Sequence, residues 1–327
     1  MTDSSSAASA RPVTLRLPSH ERRRLPLTRT QALIWTSQRL HPDSPLANMG
    51  KRSRIDGLLD PDRLVAAFDG VVRAAEMLRA VIVEDDDGVP QLDVLDEPPR
   101  STEVIDLPID QLEHWCDERI AAPIDATSCM YDSVLLRHGP DRWTWWLDLH
   151  HLSTDAWSSA LVFEATSAAY VALSDDPSAP GVTIDEAISA VLDGSFHGAL
   201  AKAGEVAAGV SRDTAAERAG AWAEDLAEAD PIAGIAPFGS RGPRTTAVER
   251  VPVALDADVV VALDHALETS YRTISRELGL LTIAAMATAI TAHRLDGRRT
   301  LLAGVPVHHR SSRHTRRACG PMMELYP

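Results

Sequence analysis

Cysteine and positive charge are both scarce in this chain of 327 residues. The three cysteines, Cys116, Cys129 and Cys319, lie far apart and form no C-x-x-C pair, so the sequence indicates neither a disulfide framework nor a zinc knuckle. The 32 Lys and Arg residues are outnumbered by 47 Asp and Glu residues, which gives a net charge of −15. Such a charge repels phosphate backbones and anionic lipid head groups. We therefore expect no nucleic-acid partner and no role at a membrane.

Long apolar runs are also missing from the sequence. No run approaches the roughly 20 residues that a membrane-spanning helix needs. The N-terminus lacks the hydrophobic core of a signal peptide. Hydrophobic residues make up 45% of the chain and charged residues 24%, which is ordinary for a soluble globular protein. We expect a cytoplasmic protein with a well-buried core.

The first part of the chain alternates predicted helices and strands. Residues 1–24 begin with a Ser-, Ala- and Pro-rich stretch and predict a flexible leader. A helix is predicted over 28–40, and another begins at Asp60 and Pro61, which have the chemistry of an N-cap and a first helical turn. The β-branched residues 81–83, followed by an acidic turn, indicate a strand of a hairpin.

A second hairpin is predicted from residues 133–137 and 143–149, which are joined by a Gly-Pro-Asp turn. Successive side chains of a strand point to opposite faces of its sheet. One face of the second strand carries Trp143, Trp145, Leu147 and Leu149, and the other carries Thr144, Trp146, Asp148 and His150. His150 and His151 are therefore expected at the end of a strand, ahead of a helix from about Trp157 to Leu173.

The second half of the chain begins with an Ala- and Glu-rich stretch, 183–230, that predicts helical structure. A strand near 246–253, helices over about 256–268 and 281–294, and a strand over 301–307 are predicted after it. Alternating helices and strands along the whole chain indicate an α/β (α+β) fold class.

The pair His150 and His151, with Asp155 four residues after it, is the main candidate for chemistry. An imidazole has an ordinary pKa of about 6.5 and can accept or guide a proton near neutral pH. Attack of an amine or alcohol on an activated acyl carbon requires such a proton acceptor and a stabilised oxyanion. The residues alone also allow a histidine pair that only packs, and an Asp155 that only caps the helix after it. A metal site is disfavoured because adjacent side chains on a strand diverge and no third ligand is evident.

The string from His150 to Ala156 resembles the H-H-x-x-x-D-G signature of nonribosomal peptide synthetase condensation domains. Further stretches agree with the motifs of that family, in the same order along the chain. Their matching residues are Leu27, Gln31, Trp35, Pro42, Asn48, Glu76, Leu78, Arg79, Gly304, Pro306, Val307, Arg310 and Gly320. The resemblance extends from Leu25 to Pro327.

The resemblance implies a chloramphenicol-acetyltransferase-like lobe at 25–176, a helical connector at 177–244 and a second, incomplete lobe of similar type at 245–327. It places the histidines in a tunnel between the lobes. His151 would be the catalytic imidazole, and His150 its structural neighbour. Asp155 would pair with Arg79 and shape the loop. The family binds no cofactor directly, because its substrates are carried on the phosphopantetheine of acyl or peptidyl carrier proteins, which we expect to act in trans.

Of the positions that depart from the family motifs, which include Ala74, Ala75, Pro321 and Met322, two bear most on the site. Ala156 replaces the glycine of the signature, and a Cβ atom there is expected to strain the loop or narrow the tunnel. Glu324 stands where the family has an asparagine. The chain also stops at Pro327, where the second lobe of the family continues. We therefore expect a truncated or split domain, with the missing remainder as a possible partner and with doubtful activity.

Three functions are consistent with these observations. The leading hypothesis is a condensation-type acyltransferase that forms an amide between carrier-bound acyl and aminoacyl thioesters. The second is a stand-alone O-acyltransferase that uses acyl-CoA or a carrier. The third is a non-catalytic remnant of a condensation domain that serves as an interaction module.

Overall fold

Helices and strands alternate along the chain, as the sequence predicts. The computed structural model describes residues 23–174, 181–192, 195–201, 220–224, 226–227, 252–270, 275–297 and 304–326. The strands are β1 (Arg23–Pro26), β2 (Lys51–Asp56), β3 (Ala80–Glu84), β4 (Pro90–Val94), β5 (Glu103–Asp106), β6 (Tyr131–Arg137), β7 (Arg142–Leu149), β8 (Val305–Val307) and β9 (Glu324–Tyr326). The helices are α1 (Arg29–Leu40), α2 (Pro61–Ala74), α3 (Leu112–Ala121), α4 (Ala156–Ala172), α5 (Ile184–Val191), α6 (Ala257–Thr269), α7 (Arg276–Asp296) and α8 (Arg313–Arg317). The predicted mixed class is confirmed.

The strands form three sheets in the described part of the chain. The largest has the order β2-β7-β6-β5, in which only β5 and β6 run parallel. A three-stranded sheet has the order β1-β4-β3, and β8 pairs with β9. Both predicted hairpins are confirmed, because β3 pairs with β4 and β6 pairs with β7, each antiparallel.

The central strand β7 separates two apolar layers, as the alternation of its residues predicts. Its first face packs Trp143, Trp145, Leu147 and Leu149 against α2 and α4 in the main core. Trp146 lies on the opposite face, packed with Val134 and Leu136 and covered by α3. Burial on both faces makes β7 a rigid support for the residues at its end.

The start of α2 follows the capping chemistry read from the sequence, and other helices begin at residues of the same kind. Thr28 caps α1 and Asp60 caps α2, each through a side-chain oxygen that accepts a backbone N–H of the first turn. The helix predicted over 281–294 begins earlier, at Arg276, because Ser275 caps it. Of the predicted helical stretch 183–230, the described residues 184–191, 196–201 and 220–224 are helical.

Some predictions fall partly or wholly outside the described residues. The leader predicted over 1–24 lies outside them except for Arg23 and Arg24, which belong to β1. The strand expected near 246–253 also lies outside them, apart from 252 and 253, which form no strand. Only 305–307 of the strand predicted over 301–307 is described, and it is a strand.

Helix α7 is an exception to the expectation that no apolar stretch of the chain is long enough to cross a membrane. By length and composition alone, Arg276–Leu295 could cross a membrane, and only 11% of its most apolar window is buried. Leu278, Met286 and Ile290 are among its exposed side chains. An apolar run that is interrupted by Thr282, Thr288 and Thr291 escapes a search for unbroken stretches. One such helix is only weak support for a membrane segment.

The end of the chain packs with residues from its beginning. Ala318 and Met322 share a buried cluster with Ile82 and Leu92 of the three-stranded sheet. Phe196 joins the same cluster and is fully buried. Residues 318–322, which the sequence places in the second lobe, therefore contribute to the core of the first. The predicted domain boundaries themselves stay a prediction.

Buried Glu76 holds the segment 195–201 against the first lobe. Its Oε2 accepts hydrogen bonds from Ser195 Oγ at 2.6 Å and from the backbone N–H of His197 at 3.3 Å. Burial acts to raise the pKa of Glu76, but the hydrogen bonds from His197 and Ser195 outweigh it and lower the pKa to about 2. The carboxylate is thus ionised throughout the physiological range and stabilises the fold.

We predict that Glu76→Gln removes part of the acid sensitivity of the protein. A carboxyl whose pKa falls from 4.5 to about 2 on folding stabilises the native state above pH 4.5 and loses that contribution as the pH falls toward 2. The contribution is on the order of 3 kcal/mol. Urea unfolding of both proteins between pH 2 and pH 6 measures it. The matched control is Glu113→Gln on the exposed surface of α3. An equal pH slope for wild type and Glu76→Gln would contradict the assignment.

Gly320 lies where the chain end meets Phe196. A Cβ atom at Gly320 would come within 2.1 Å of the Phe196 ring, which is fully buried. We predict that Gly320→Ala lowers the free energy of unfolding by about 1–3 kcal/mol, since an overpacked core must shift. Gly304→Ala is the control, because its Cβ would have no neighbour closer than 3.8 Å. Equal urea midpoints for the two variants would show that residues 318–322 do not pack as described.

Candidate active site

His151 lies just past the end of β7 and faces a cleft. Its backbone N–H donates to Ala47 O at 2.8 Å, which extends the pairing of the strand. The ring Nδ1 lies 3.0 Å from Thr154 O, and because a carbonyl only accepts, Nδ1 carries the proton. The neutral ring therefore keeps Nε2 as a free lone pair. The cleft has a volume of about 120 Å³, and His151 shares its wall with Ile34, Ser37, Gln38, His41, Ser44 and Leu46.

The turn that carries His151 is held by side chains from two directions. Gln31 of α1 is fully buried and donates from Nε2 to Leu152 O at 2.9 Å. Ser153 donates from Oγ to His150 O at 2.9 Å. Gln31 matched a family motif in the sequence, yet its contact with the turn could not be read there. These bonds fix the backbone around the imidazole of His151.

His150 is turned away from the cleft and is completely buried. Its Nδ1 accepts the backbone N–H of Leu152 at 3.0 Å. Burial lowers the pKa of His150 to about 4, with a smaller contribution from neighbouring His151. The ring is therefore neutral at pH 7. This position agrees with the structural role that the family resemblance implies, which remains a prediction.

Asp155 has a different ionic partner from the one expected. The N-cap interpretation is correct, since Asp155 Oδ1 accepts the Ser158 N–H at 2.7 Å at the start of α4. The expected pairing with Arg79 is wrong. The Arg79 guanidinium donates to the carbonyl oxygens of Leu95 and Asp96, just after β4. The backbone of Arg79 lies beside this segment, because its carbonyl oxygen accepts the Leu95 N–H at 3.0 Å. Asp155 instead pairs with Arg310.

The Asp155–Arg310 pair is fully buried on both sides. Arg310 Nη2 lies 3.1 and 3.0 Å from the two carboxylate oxygens and also donates to Ser158 Oγ at 2.7 Å and Gly320 O at 2.8 Å. Burial acts to raise the pKa of Asp155, but Arg310 and the backbone N–H groups of Ser158 and Met322 outweigh it and lower the pKa. The Asp155 carboxylate therefore serves as the buried counter-ion of Arg310.

The other end of the Arg310 guanidinium binds the chain that follows it. Nη1 donates to Thr315 O and Ala318 O, both at 2.7 Å. Met322 N donates to Asp155 Oδ2 at 3.0 Å. One guanidinium thus joins the signature loop to residues 315–322. The sequence contained Arg310 as a motif match, but nothing local indicated its partner.

Ala156 does not strain the loop, so that expectation is wrong. It is the first residue of α4 and is exposed. Among the described residues, the only non-glycine with a positive φ is His309, at 48°. A helical first position accepts alanine at least as well as glycine. Whether its Cβ narrows a tunnel stays a prediction.

Glu324, the second departure, lies in β9. Its carboxylate is 3.5 Å from Thr30 Oγ1 at the start of α1 and 3.6 Å from His309 Nε2.

A metal site at His150, His151 and Asp155 finds no support in the described part of the chain, where no group of three His, Cys, Asp or Glu residues is placed to hold a metal. The geometry around His151 is that of a proton acceptor supported by hydrogen bonds.

A family model and several known proteins match the sequence of this chain. The model of the condensation domain family matches residues 21–184. Isonitrile lipopeptide synthase of Streptomyces coeruleorubidus is 28% identical over 295 residues, which are 87% of this chain and 18% of that protein. Dimodular nonribosomal peptide synthase of Bacillus subtilis (strain 168) is 25% identical over 311 residues, which are 92% of this chain and 12% of that protein. The chain thus spans less than a fifth of either relative.

Solved structures agree on the fold. The first condensation domain of the calcium-dependent antibiotic synthetase, in complex with substrate analogue 2a, superposes with a TM-score of 0.75 at 24% identity, over 93% of this chain and 69% of that one. The starter condensation domain of rhizomide synthetase RzmA gives a TM-score of 0.64 at 22% identity, over 93% of this chain and 66% of that one. At this identity the likeness shows the fold, with its chloramphenicol-acetyltransferase-like architecture.

We predict that Arg310→Met destabilises the protein far more than Arg79→Met. Losing Arg310 leaves the buried Asp155 carboxylate without a counter-ion, which costs about 3–5 kcal/mol. Losing Arg79 removes its hydrogen bonds to two carbonyl groups, which together contribute about 1 kcal/mol to the free energy of unfolding. Thermal and urea unfolding of both variants measure the difference. Greater destabilisation by Arg79→Met than by Arg310→Met would indicate that Asp155 pairs with Arg79, as the sequence suggested.

Proposed function

Because the chain belongs to the condensation domain family, we propose that it forms an amide bond between two carrier-bound thioesters in nonribosomal peptide synthesis. The observation that carries this proposal is the imidazole of His151, held with Nε2 free at the wall of a cleft. The signature that contains it lies within the matched residues 21–184.

The reaction needs one proton acceptor in the place where His151 lies. The amine nitrogen of an aminoacyl thioester attacks the carbonyl carbon of an acyl thioester, a C–N bond forms, and the C–S bond breaks. His151 Nε2 accepts or guides the proton that the amine loses, and the departing thiolate takes up a proton. The Nδ1–H bond to Thr154 O fixes the tautomer that leaves Nε2 as the acceptor.

Substrates and partners follow from the same family. Both thioesters would be carried on phosphopantetheine arms of acyl or peptidyl carrier proteins, supplied in trans, and no cofactor would be bound directly. The relatives named above are a lipopeptide synthase and a peptide synthase, which supports this substrate class. We place the reaction in the cytoplasm, as the three buried, unpaired cysteines allow. The remainder of a second lobe stays a predicted partner.

We predict that His151→Ala lowers the rate of amide formation at least about 100-fold, the usual range for loss of a positioned acid–base group. Mass spectrometry of the acceptor carrier, after mixing with an acyl-loaded donor carrier, measures the product. The control is His114→Ala on the exposed surface of α3, where the ring lies 3.5 Å from Glu118. We expect this variant to keep the wild-type rate.

Three outcomes would contradict the proposal. Equal product from wild type and His151→Ala would remove the catalytic role of the imidazole. Transfer from soluble acyl-CoA to an alcohol, without amide formation, would favour the O-acyltransferase. No turnover by either protein with any loaded carrier would favour a non-catalytic interaction module.

A further inference from the structure

His150 presents a buried hydrogen-bond donor that no atom of the described residues accepts. Since Nδ1 accepts the Leu152 N–H at 3.0 Å, the neutral ring carries its proton on Nε2. Nε2 is buried and has no hydrogen-bond partner among the residues that the structure describes. A buried donor left unsatisfied costs about 1–3 kcal/mol, and native proteins normally satisfy such groups.

Asp148 presents a buried acceptor on the same face of the same strand. The pairing of β7 continues past its end, because His150 N donates to Met130 O at 2.8 Å and Asn48 bridges to His150. Asp148 and His150 are two positions apart on this continuous ladder, so their side chains lie on one face. Asp148 is 1% exposed, and its Oδ1 has no hydrogen-bond partner in the described part of the chain.

The spacing of the two groups fits one water molecule. Side chains two positions apart on a strand start about 6.6 Å from each other. Two hydrogen bonds through one water span about 5.6 Å. A direct bond would need both side chains to lean fully together, whereas a bridge lets both keep ordinary rotamers. Buried waters typically satisfy polar groups of this kind.

The surroundings leave room for water beside Asp148. Asn48 holds the loop above, since it donates to Ala122 O at 2.7 Å and accepts from Ile124 N at 3.2 Å. A cavity of about 300 Å³ reaches Asp148 from this side. Water can therefore enter between the loop and the strand.

We propose that one water bridges the two groups: His150 Nε2–H donates to the water, and the water donates to Asp148 Oδ1. Through this bridge Asp148 acts as a positioning residue for the turn from His150 to Asp155, which carries His151. His150 is the centre of that turn. Its ring accepts from Leu152 N, and its carbonyl oxygen accepts from Ser153 N and Ser153 Oγ, both at 2.9 Å. Thr154 O, which fixes the His151 ring, comes next in the same turn.

The link works in either protonation state of Asp148. Burial, with a smaller effect of Asp132 across the sheet, raises the pKa of Asp148 to about 7. A protonated carboxyl keeps a carbonyl oxygen that accepts a hydrogen bond, so the bridge does not depend on ionisation. Asp132 is occupied elsewhere, since Arg119 binds both of its oxygens at 2.7 Å. Asp148 Oδ1 is thus a buried acceptor on the same face of β7 as His150, while Asp125, whose charge also acts on His150, lies on the exposed surface.

The first test measures the His150 ring directly by ¹⁵N NMR. We expect a slowly exchanging proton on His150 Nε2 in the wild type and in Asp148→Asn, whose side-chain carbonyl still accepts. In Asp148→Leu the exchange rate should rise at least about tenfold. The matched control is Thr144→Val, which removes another buried polar group from the same face of β7, bonded to His138 Nε2 at 2.9 Å. We expect it to leave the His150 signal unchanged. An unchanged His150 signal in Asp148→Leu would overturn the proposal.

The second test is a crystal structure of the wild type, which does not depend on whether any variant folds. One ordered water within hydrogen-bond distance of both Asp148 Oδ1 and His150 Nε2 is the expected result, and any other partner for Nε2 would overturn the proposal. The effect on activity rests on the proposed function: kcat should fall about tenfold in Asp148→Leu while KM changes little. Should the wild type form no amide, the proposed function fails, while the NMR and crystal results still decide the bridge.

Discussion

The buried ion pair between Asp155 and Arg310 is the interaction on which the site depends. Two charges removed entirely from water are tolerated only when nearly every hydrogen bond around them is made. Here the carboxylate also caps α4, and the guanidinium also binds three carbonyl groups of residues 315–320. Residues 155 positions apart in the sequence thus fix one another. The turn from His150 to Asp155 lies between this pair and β7, so both of its ends are held.

The proposed chemistry depends on that turn, because the backbone of the turn fixes the tautomer of His151. Thr154 O binds Nδ1–H, and Gln31 and Ser153 keep the carbonyl groups of the turn in place. A histidine on a mobile loop would present either nitrogen, whereas this one presents Nε2 to the cleft. His150 contributes from the buried side, where its ring is neutral and faces the interior. The two rings therefore lie in different surroundings, His151 at the wall of the cleft and His150 in the interior.

The sequence predicted the parts of this arrangement that short spacing encodes. The alternation along 143–149 placed His150 and His151 at a strand end, and the capping chemistry of Asp60 and Asp155 indicated two helix starts. What it missed has no local signal. Arg79 and Arg310 are both motif arginines, and only the folded chain shows which one reaches Asp155. The packing of Met322 with strands near residue 82, and the relaxed backbone of Ala156, likewise depend on contacts made across the fold.

A double-mutant cycle of Asp155→Asn and Arg310→Met, read by urea unfolding, tests most directly whether this pair organises the site. Residues that share one buried network couple by 0.5–3 kcal/mol in general, and we expect about 2 kcal/mol or more here. The parallel cycle of Asp155→Asn with Arg79→Met should give additive effects, within about 0.5 kcal/mol. Additivity between Asp155 and Arg310, with coupling between Asp155 and Arg79, would contradict the account.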